Sequence, residues 1–170
     1  MEANILVKKI EEVVNDDKIW CISGKILDAG DEKCGLSDKE YGCVYGIAVF
    51  IDSDEKKGDF YKRVGSDRIK LPQKEDWKPI EQELYPLYWG KDKNMGVRLA
   101  AHCRELKGTN TLQLCNIDLN GFDIIYGAVP CRNYEEHELE LIRKYPCLLK
   151  TKKGKNGDAL KYAQDELLKE

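Results

Sequence analysis

The chain has 170 residues, 42% of them hydrophobic and 35% charged. That is enough apolar material for one domain with a packed core, and it excludes a wholly disordered protein. Its 31 acids against 28 bases give a net charge of -3, which excludes a strongly basic chromatin-type protein but leaves room for a local basic face.

The longest nearly apolar run, Cys43 to Ile51, is far shorter than the roughly 20 residues a bilayer requires. The opening Met-Glu-Ala-Asn has no basic segment before an apolar stretch. No membrane span and no signal peptide are expected, and the expected location is cytoplasmic. The 7 cysteines are odd in number and contain no CxxC pair. They read as reduced thiols, mostly small buried hydrophobes. A zinc site from Cys103, Cys115, Cys131 and His137 is a minor alternative, because structural zinc sites usually show two tight ligand pairs.

Residues 2–15 place Ile5, Leu6, Ile10, Val13 and Val14 at helical spacing, which predicts an amphipathic helix. Lys18 to Leu27 predicts a strand, and the acidic, Gly-containing stretch 28–40 a loop. Tyr41 to Ile51 is the strongest strand. Its β-branched and aromatic residues lack alternation, which predicts burial on both faces. Residues 52–84 carry mixed charge and read as a long excursion, with a short helix at Asp59 to Val64. Tyr85 to Gly90 predicts a short strand. Asn94 to Leu106 predicts a helix ended by Gly108, with Arg98 and His102 on one side of it. Strands at 112–118 and 122–129 flank Leu119-Asn120-Gly121, a hairpin signal. Asn133 then reads as a helix cap with Glu136 as its capping-box partner, and Pro146 stops that helix. Residues 150–156 read as a basic loop, and 158–168 as a last amphipathic helix.

Cys43-Val-Tyr-Gly-Ile47 resembles the first signature of the GIY-YIG nucleases, and Leu87-Tyr-Trp-Gly-Lys91 resembles the second. Arg98-Leu-Ala-Ala-His102 is similar to the family's R-L-x-x-H helix. Glu138-Leu-Glu-Leu-Ile142, followed by Pro146, is similar to its E-x-x-L-I…P segment. The resemblance spans about residues 41–150. It implies an α/β (α+β) fold: a small, mainly antiparallel sheet flanked by helices. The whole chain, 1–170, then reads as a single domain. Its core is 41–150 with an insertion at 52–84, and helices 2–15 and 158–168 are additions.

The resemblance implies a metal-dependent DNA endonuclease, of restriction or mobile-element type, leaving 5′-phosphate and 3′-hydroxyl ends. Glu138 becomes the metal ligand, because one carboxylate with waters and phosphate oxygens suits Mg²⁺ or Mn²⁺. Arg98 would grip the scissile phosphate through its planar fork. The resemblance makes Tyr45 the candidate general base, Tyr88 a positioning or proton-relay phenol, and His102 a partner for the water or for Tyr45. A phenol titrating near pH ~10 is a poor base, so a neighbouring cation, with Lys91 as the candidate, must lower it.

The chain departs from the family pattern in four places. The stretch between Tyr45 and Tyr88 is long, Cys43 replaces the first Gly, and the family's late Asn is replaced by Leu149 or Lys150. Trp89 also stands where the second signature has Ile.

The bases cluster around the proposed site. Arg143, Lys144, Lys150, Lys152, Lys153 and Lys155 fall in one acid-free segment, Lys93 precedes the Arg98 helix and Arg104 lies within it. Of these, Lys93, Arg104, Lys144, Lys150, Lys152, Lys153 and Lys155 form the expected DNA-binding set. A homodimer would be needed to cut both strands of a palindrome. The alternatives are a catalytically inactive module of the same fold that binds nucleic acid or protein, and an unrelated α/β protein in which Tyr45, Tyr88, Arg98 and Glu138 do not converge.

Overall fold

The computed structural model describes residues 4–14, 22–25, 42–64, 69–70, 74–92 and 119–150. Helix α1 (Asn4–Val14) is followed by strand β1 (Ile22–Lys25), strand β2 (Gly42–Phe50), helix α2 (Asp54–Arg63) and a two-residue strand β3 (Ile69–Lys70). A 3₁₀ turn (Lys74–Asp76), strand β4 (Leu84–Asp92), strand β5 (Asp123–Cys131), helix α3 (Tyr134–Lys144) and strand β6 (Leu149–Lys150) complete the order. The expected helices 94–106 and 158–168, and the expected strand 112–118, lie outside the described residues.

Four strands form one antiparallel sheet in the order β1-β5-β2-β4. The fold is α+β, as expected. β2 is an inner strand, and both its faces are buried, which is why its sequence does not alternate between apolar and polar. Cys43, Tyr45, Ile47 and Val49 enter one core layer, and Val44 and Ala48 enter the other. We call these the tyrosine face and the helix face.

The helix face is covered by α1 and α3. Leu6, Ile10 and Val14 of α1 and Leu141 and Ile142 of α3 join Val44, Ala48, Trp89, Ile125 and Val129 there. The spacing of these residues is the apolar stripe that an amphipathic helix buries. α1 lies close against β5, because a Cβ on Gly127 would come within 3.0 Å of Val7 Cγ2.

The tyrosine face is covered by the excursion that leaves β2 and returns as β4. Phe60 and Val64, from α2 and its cap, and Trp77 after the 3₁₀ turn are buried against Ile51, Leu87 and Ile124. Phe60 stacks on Trp77 at 5.9 Å and meets Phe122 edge-on at 4.9 Å. The Trp77 indole N–H donates to the Pro86 carbonyl at 2.7 Å. Pro86 has no N–H to give, so it is tolerated in β4, the edge strand.

α2 begins at Asp54, earlier than the expected Asp59. The Ser53 hydroxyl accepts the Lys56 N–H, acids occupy the first turn and bases the last. Only Phe60 of this helix is buried, so no apolar stripe announced it. Its far end is tied down by Arg63, which donates to the Asn120 carbonyl at 2.9 Å. That carbonyl belongs to the expected turn, where the Phe122 N–H donates to the Leu119 carbonyl and Gly121 supplies a φ of 87°.

Two local expectations need correction. Asn133 precedes α3, but its side chain makes no cap. Its φ of 26° is outside the extended region a side-chain cap needs, and its carbonyl takes the N–H groups of Glu136 and His137 instead. Lys150 is not in a loop. It pairs with Ile69, so β6 and β3 form a small ribbon joining the excursion to the segment after α3.

Candidate active site

The first two signatures fall on hydrogen-bonded neighbours. Tyr45 of β2 pairs with Gly90 of β4, and Ile47 pairs with Tyr88. A bulge follows, with Ala48 opposite Pro86, so Leu87 is the extra residue on β4. The bulge sends both Leu87 and Tyr88 into the tyrosine-face core. The rings of Tyr45 and Tyr88 end 6.2 Å apart, tilted by 35°.

Gly90 makes this meeting possible. The Tyr45 ring leans across its backbone, and a Cβ there would lie 2.7 Å from Tyr45 Cε2 and closer still to Cζ and the hydroxyl. Any side chain at this position would push the ring away from Tyr88. The mirror arrangement occupies the helix face, where the Trp89 ring lies over Gly46. A Cβ on Gly46 would meet Trp89 Cε3 at 2.6 Å. The sequence signal was the Gly beside each aromatic residue, which motif matching recorded without giving it a cause.

Both tyrosines are buried, Tyr45 with 1% of its surface exposed and Tyr88 with 3%. A substrate phosphate reaches them only if their cover moves. Lys91 does not serve as their cation. It pairs with Val44, on the helix face, and its ammonium meets Glu135 of α3 at 3.1 Å. Strand alternation turns it away from Tyr45.

Glu138 is the one buried charged residue among the described residues, at 4% exposure. It precedes Leu141 and Ile142 by three and four residues, so it shares the stripe that α3 presses onto the sheet. Its charge is felt at the Cys147 thiol, which burial pushes up to about 12 and Glu138 pushes in the same direction, while the Trp89 and Cys147 backbone N–H groups oppose them. A carboxylate is the ligand type that suits Mg²⁺, a hard cation that takes one or two of them and completes its shell with water and phosphate. Among the described residues no cluster of three His, Cys, Asp or Glu side chains forms a larger metal site.

The structure therefore brings Tyr45 and Tyr88 together on the tyrosine face but sets Glu138 on α3 against the helix face, so the sheet separates Glu138 from the two tyrosines and the three do not converge on one cleft. Arg98, His102, Lys93, Arg104, Lys152, Lys153 and Lys155 lie outside the described residues, as do Cys103 and Cys115 of the zinc alternative. Lys144 sits at the end of α3, its ammonium 5.5 Å from the Tyr145 ring centre. Among the described residues, Cys43, Cys131 and Cys147 are buried thiols, none in a disulfide. No described helix is long and apolar enough to cross a membrane. No protein-family model, curated protein or solved structure matches the chain.

Proposed function

We propose that the chain is a metal-dependent endonuclease that hydrolyses DNA phosphodiesters, on a GIY-YIG-like fold. The observation that carries this reading is the meeting of the two signature tyrosines. Residues far apart in sequence lie 6.2 Å apart on adjacent strands, across Gly90, which the second signature also supplies.

In the reaction, water adds to the phosphorus and the bond from phosphorus to the 3′ oxygen breaks. The water's proton passes to Tyr45 as general base, which requires a cation other than Lys91 beside the phenol, and the departing oxygen takes a proton from solvent to become the 3′-hydroxyl. Tyr88 orients the phenol beside it. Arg98 holds the scissile phosphate, and His102 hydrogen-bonds the water or Tyr45. Glu138 would hold Mg²⁺ or Mn²⁺, which supplies Lewis-acid stabilisation of the charged phosphorane when bound. Lys93, Arg104, Lys144, Lys150, Lys152, Lys153 and Lys155 would follow the phosphate backbone. A homodimer would cut both strands, and buried thiols suit a cytoplasmic location.

The burial of Tyr45 and Tyr88 favours a second reading, a non-catalytic module that binds nucleic acid or protein. Plasmid cleavage with Mg²⁺ or Mn²⁺ separates the two. The endonuclease nicks or linearises DNA, and Glu138→Ala and Arg98→Ala abolish this. DNA binding without cleavage under either metal selects the second reading, and cleavage that survives Glu138→Ala removes the metal assignment.

A further inference from the structure

The chain after α3 changes sides of the sheet. Cys147 is buried in the helix-face layer, and the next two residues, Leu148 and Leu149, are buried in the tyrosine-face layer with Tyr45 and Tyr88. The backbone therefore rounds the outer edge of β4 between Cys147 and Leu148. The side it leaves is firmly held. The Trp89 indole N–H donates to the Tyr145 carbonyl at 2.7 Å, and a Trp89 backbone hydrogen bond reaches the Cys147 thiol.

The side it reaches is lightly held. The Leu148 N–H donates to the Pro86 carbonyl at 3.3 Å, and the Cys147 thiol to the Leu149 carbonyl at 3.6 Å. Leu149 and Lys150 pair with Lys70 and Ile69, and so small a ribbon is marginal by itself. Lifting Leu148 leaves the Pro86 carbonyl satisfied, because the Trp77 indole N–H stays on it at 2.7 Å. The other covers of the tyrosine face are fixed more strongly. α2 has its Ser53 cap, and its Phe60 lies between Trp77 and Phe122. The excursion is bonded end to end, from the Ile51 N–H to the Glu83 carbonyl at 2.9 Å. The main hold on 148–150 is apolar: Leu148 and Leu149 are both fully buried, which makes the closed state the resting one.

We propose that residues 148–150 are a flap: they lift from the tyrosine face as one unit, hinged where the chain rounds β4, while the sheet, α2 and α3 stay folded. Opening takes Leu148 and Leu149 out of the layer that buries Tyr45 and Tyr88, and it unclasps β6 from β3. Cys147 stays behind on the helix face. The use of the flap rests on the endonuclease reading, in which it is the gate by which a phosphodiester reaches the two phenols.

Native-state hydrogen exchange of the full chain, read amide by amide by NMR, tests the opening. The Leu148 amide should exchange at least about tenfold faster than the amides of β2, as a locally opening segment does. Low urea should speed β2 and leave Leu148 unchanged, because a local opening exposes little surface. Leu6→Ala, which weakens the helix face, should do the same, and the urea series on the wild type decides if that variant does not fold. A Leu148 amide that exchanges with β2 and follows it in urea overturns the flap. A lock tests the gate. Ile69 and Lys150 are register partners across the ribbon, at a backbone spacing a disulfide can bridge. Ile69→Cys with Lys150→Cys, oxidised, should stop plasmid nicking with Mn²⁺, and reduction should restore it. Nicking that persists in the locked protein removes the gate alone. Wild-type protein that nicks nothing removes the endonuclease reading and the gate with it, while the flap stands or falls on the exchange rates.

Discussion

The ring of Tyr45 rests on the backbone of Gly90, and this contact is what lets it reach Tyr88 on the same strand. Gly90→Ala adds a methyl where the ring already lies. The variant should lose about 1–3 kcal/mol of stability through overpacking. On the proposed endonuclease reading, cleavage should also fall more than tenfold in a preparation that remains folded. Urea denaturation and plasmid nicking at one temperature report the two effects separately. A variant of unchanged stability would show that the ring is free to move aside.

Trp77 is the anchor of the excursion. It is fully buried, and its indole donates at 2.7 Å to a proline carbonyl. Trp77→Phe should cost about 0.5–1.5 kcal/mol, because the Pro86 carbonyl keeps only its longer bond from the Leu148 N–H at 3.3 Å, and Trp77→Ala about 3–5 kcal/mol by adding a cavity. Thermal or denaturant unfolding reads both. Losses of a few tenths would mean that the excursion does not contribute to the core.

Cys147 should make stability fall in alkali. Burial raises its thiol from 9.0 to about 12, with Glu138 adding to the rise and backbone N–H groups opposing it. The folded chain therefore keeps a proton that the unfolded chain gives up. Its contribution is complete below pH 9 and is lost as pH rises from there towards about 12, by at most about 1.4 kcal/mol per pH unit. Denaturant titrations at pH 8 and pH 10.5 measure the slope, and Cys147→Ala should flatten it. For the same reason the native thiol should resist alkylation until the chain unfolds.

Phe60→Ala tests whether α2 is held by more than its charges. The surface pairs Lys56–Asp52 and Arg63–Asp59 are exposed and contribute little. Phe60, between Trp77 and Phe122, should account for about 3–5 kcal/mol. High salt should leave α2 in place, and the substitution should release it. Hydrogen exchange across 54–63 distinguishes these outcomes.

The sheet and its covering helices were legible because their signals are local and strong. β2 announced itself by an unbroken apolar run, α1 and α3 by their stripes, and the 119–121 turn by Asn-Gly. α2 was mostly missed, since its sequence shows charge with one buried ring. Ser53 followed by two acids was the available clue. β3 and β6 were illegible: each is two residues long and exists only by pairing with the other. Asn133 carried the right residue type for a side-chain cap, but its backbone took a conformation that pattern does not encode. Motif order led to Tyr45, Tyr88 and Glu138. It did not reveal that Lys91 faces α3, because a signature read as a string takes no account of strand alternation.

The Ile51 N–H donates to the Glu83 carbonyl at 2.9 Å, where the excursion leaves β2 and rejoins β4. Entry and exit are thus clamped at one point, independently of the length between them. Doubling such a connection costs only about 0.6 kcal/mol of closure entropy. The excursion is therefore an exchangeable module with a fixed port. Transplants of other lengths should seat on the same sheet, provided they bring an aromatic pair to stand in for Phe60 and Trp77.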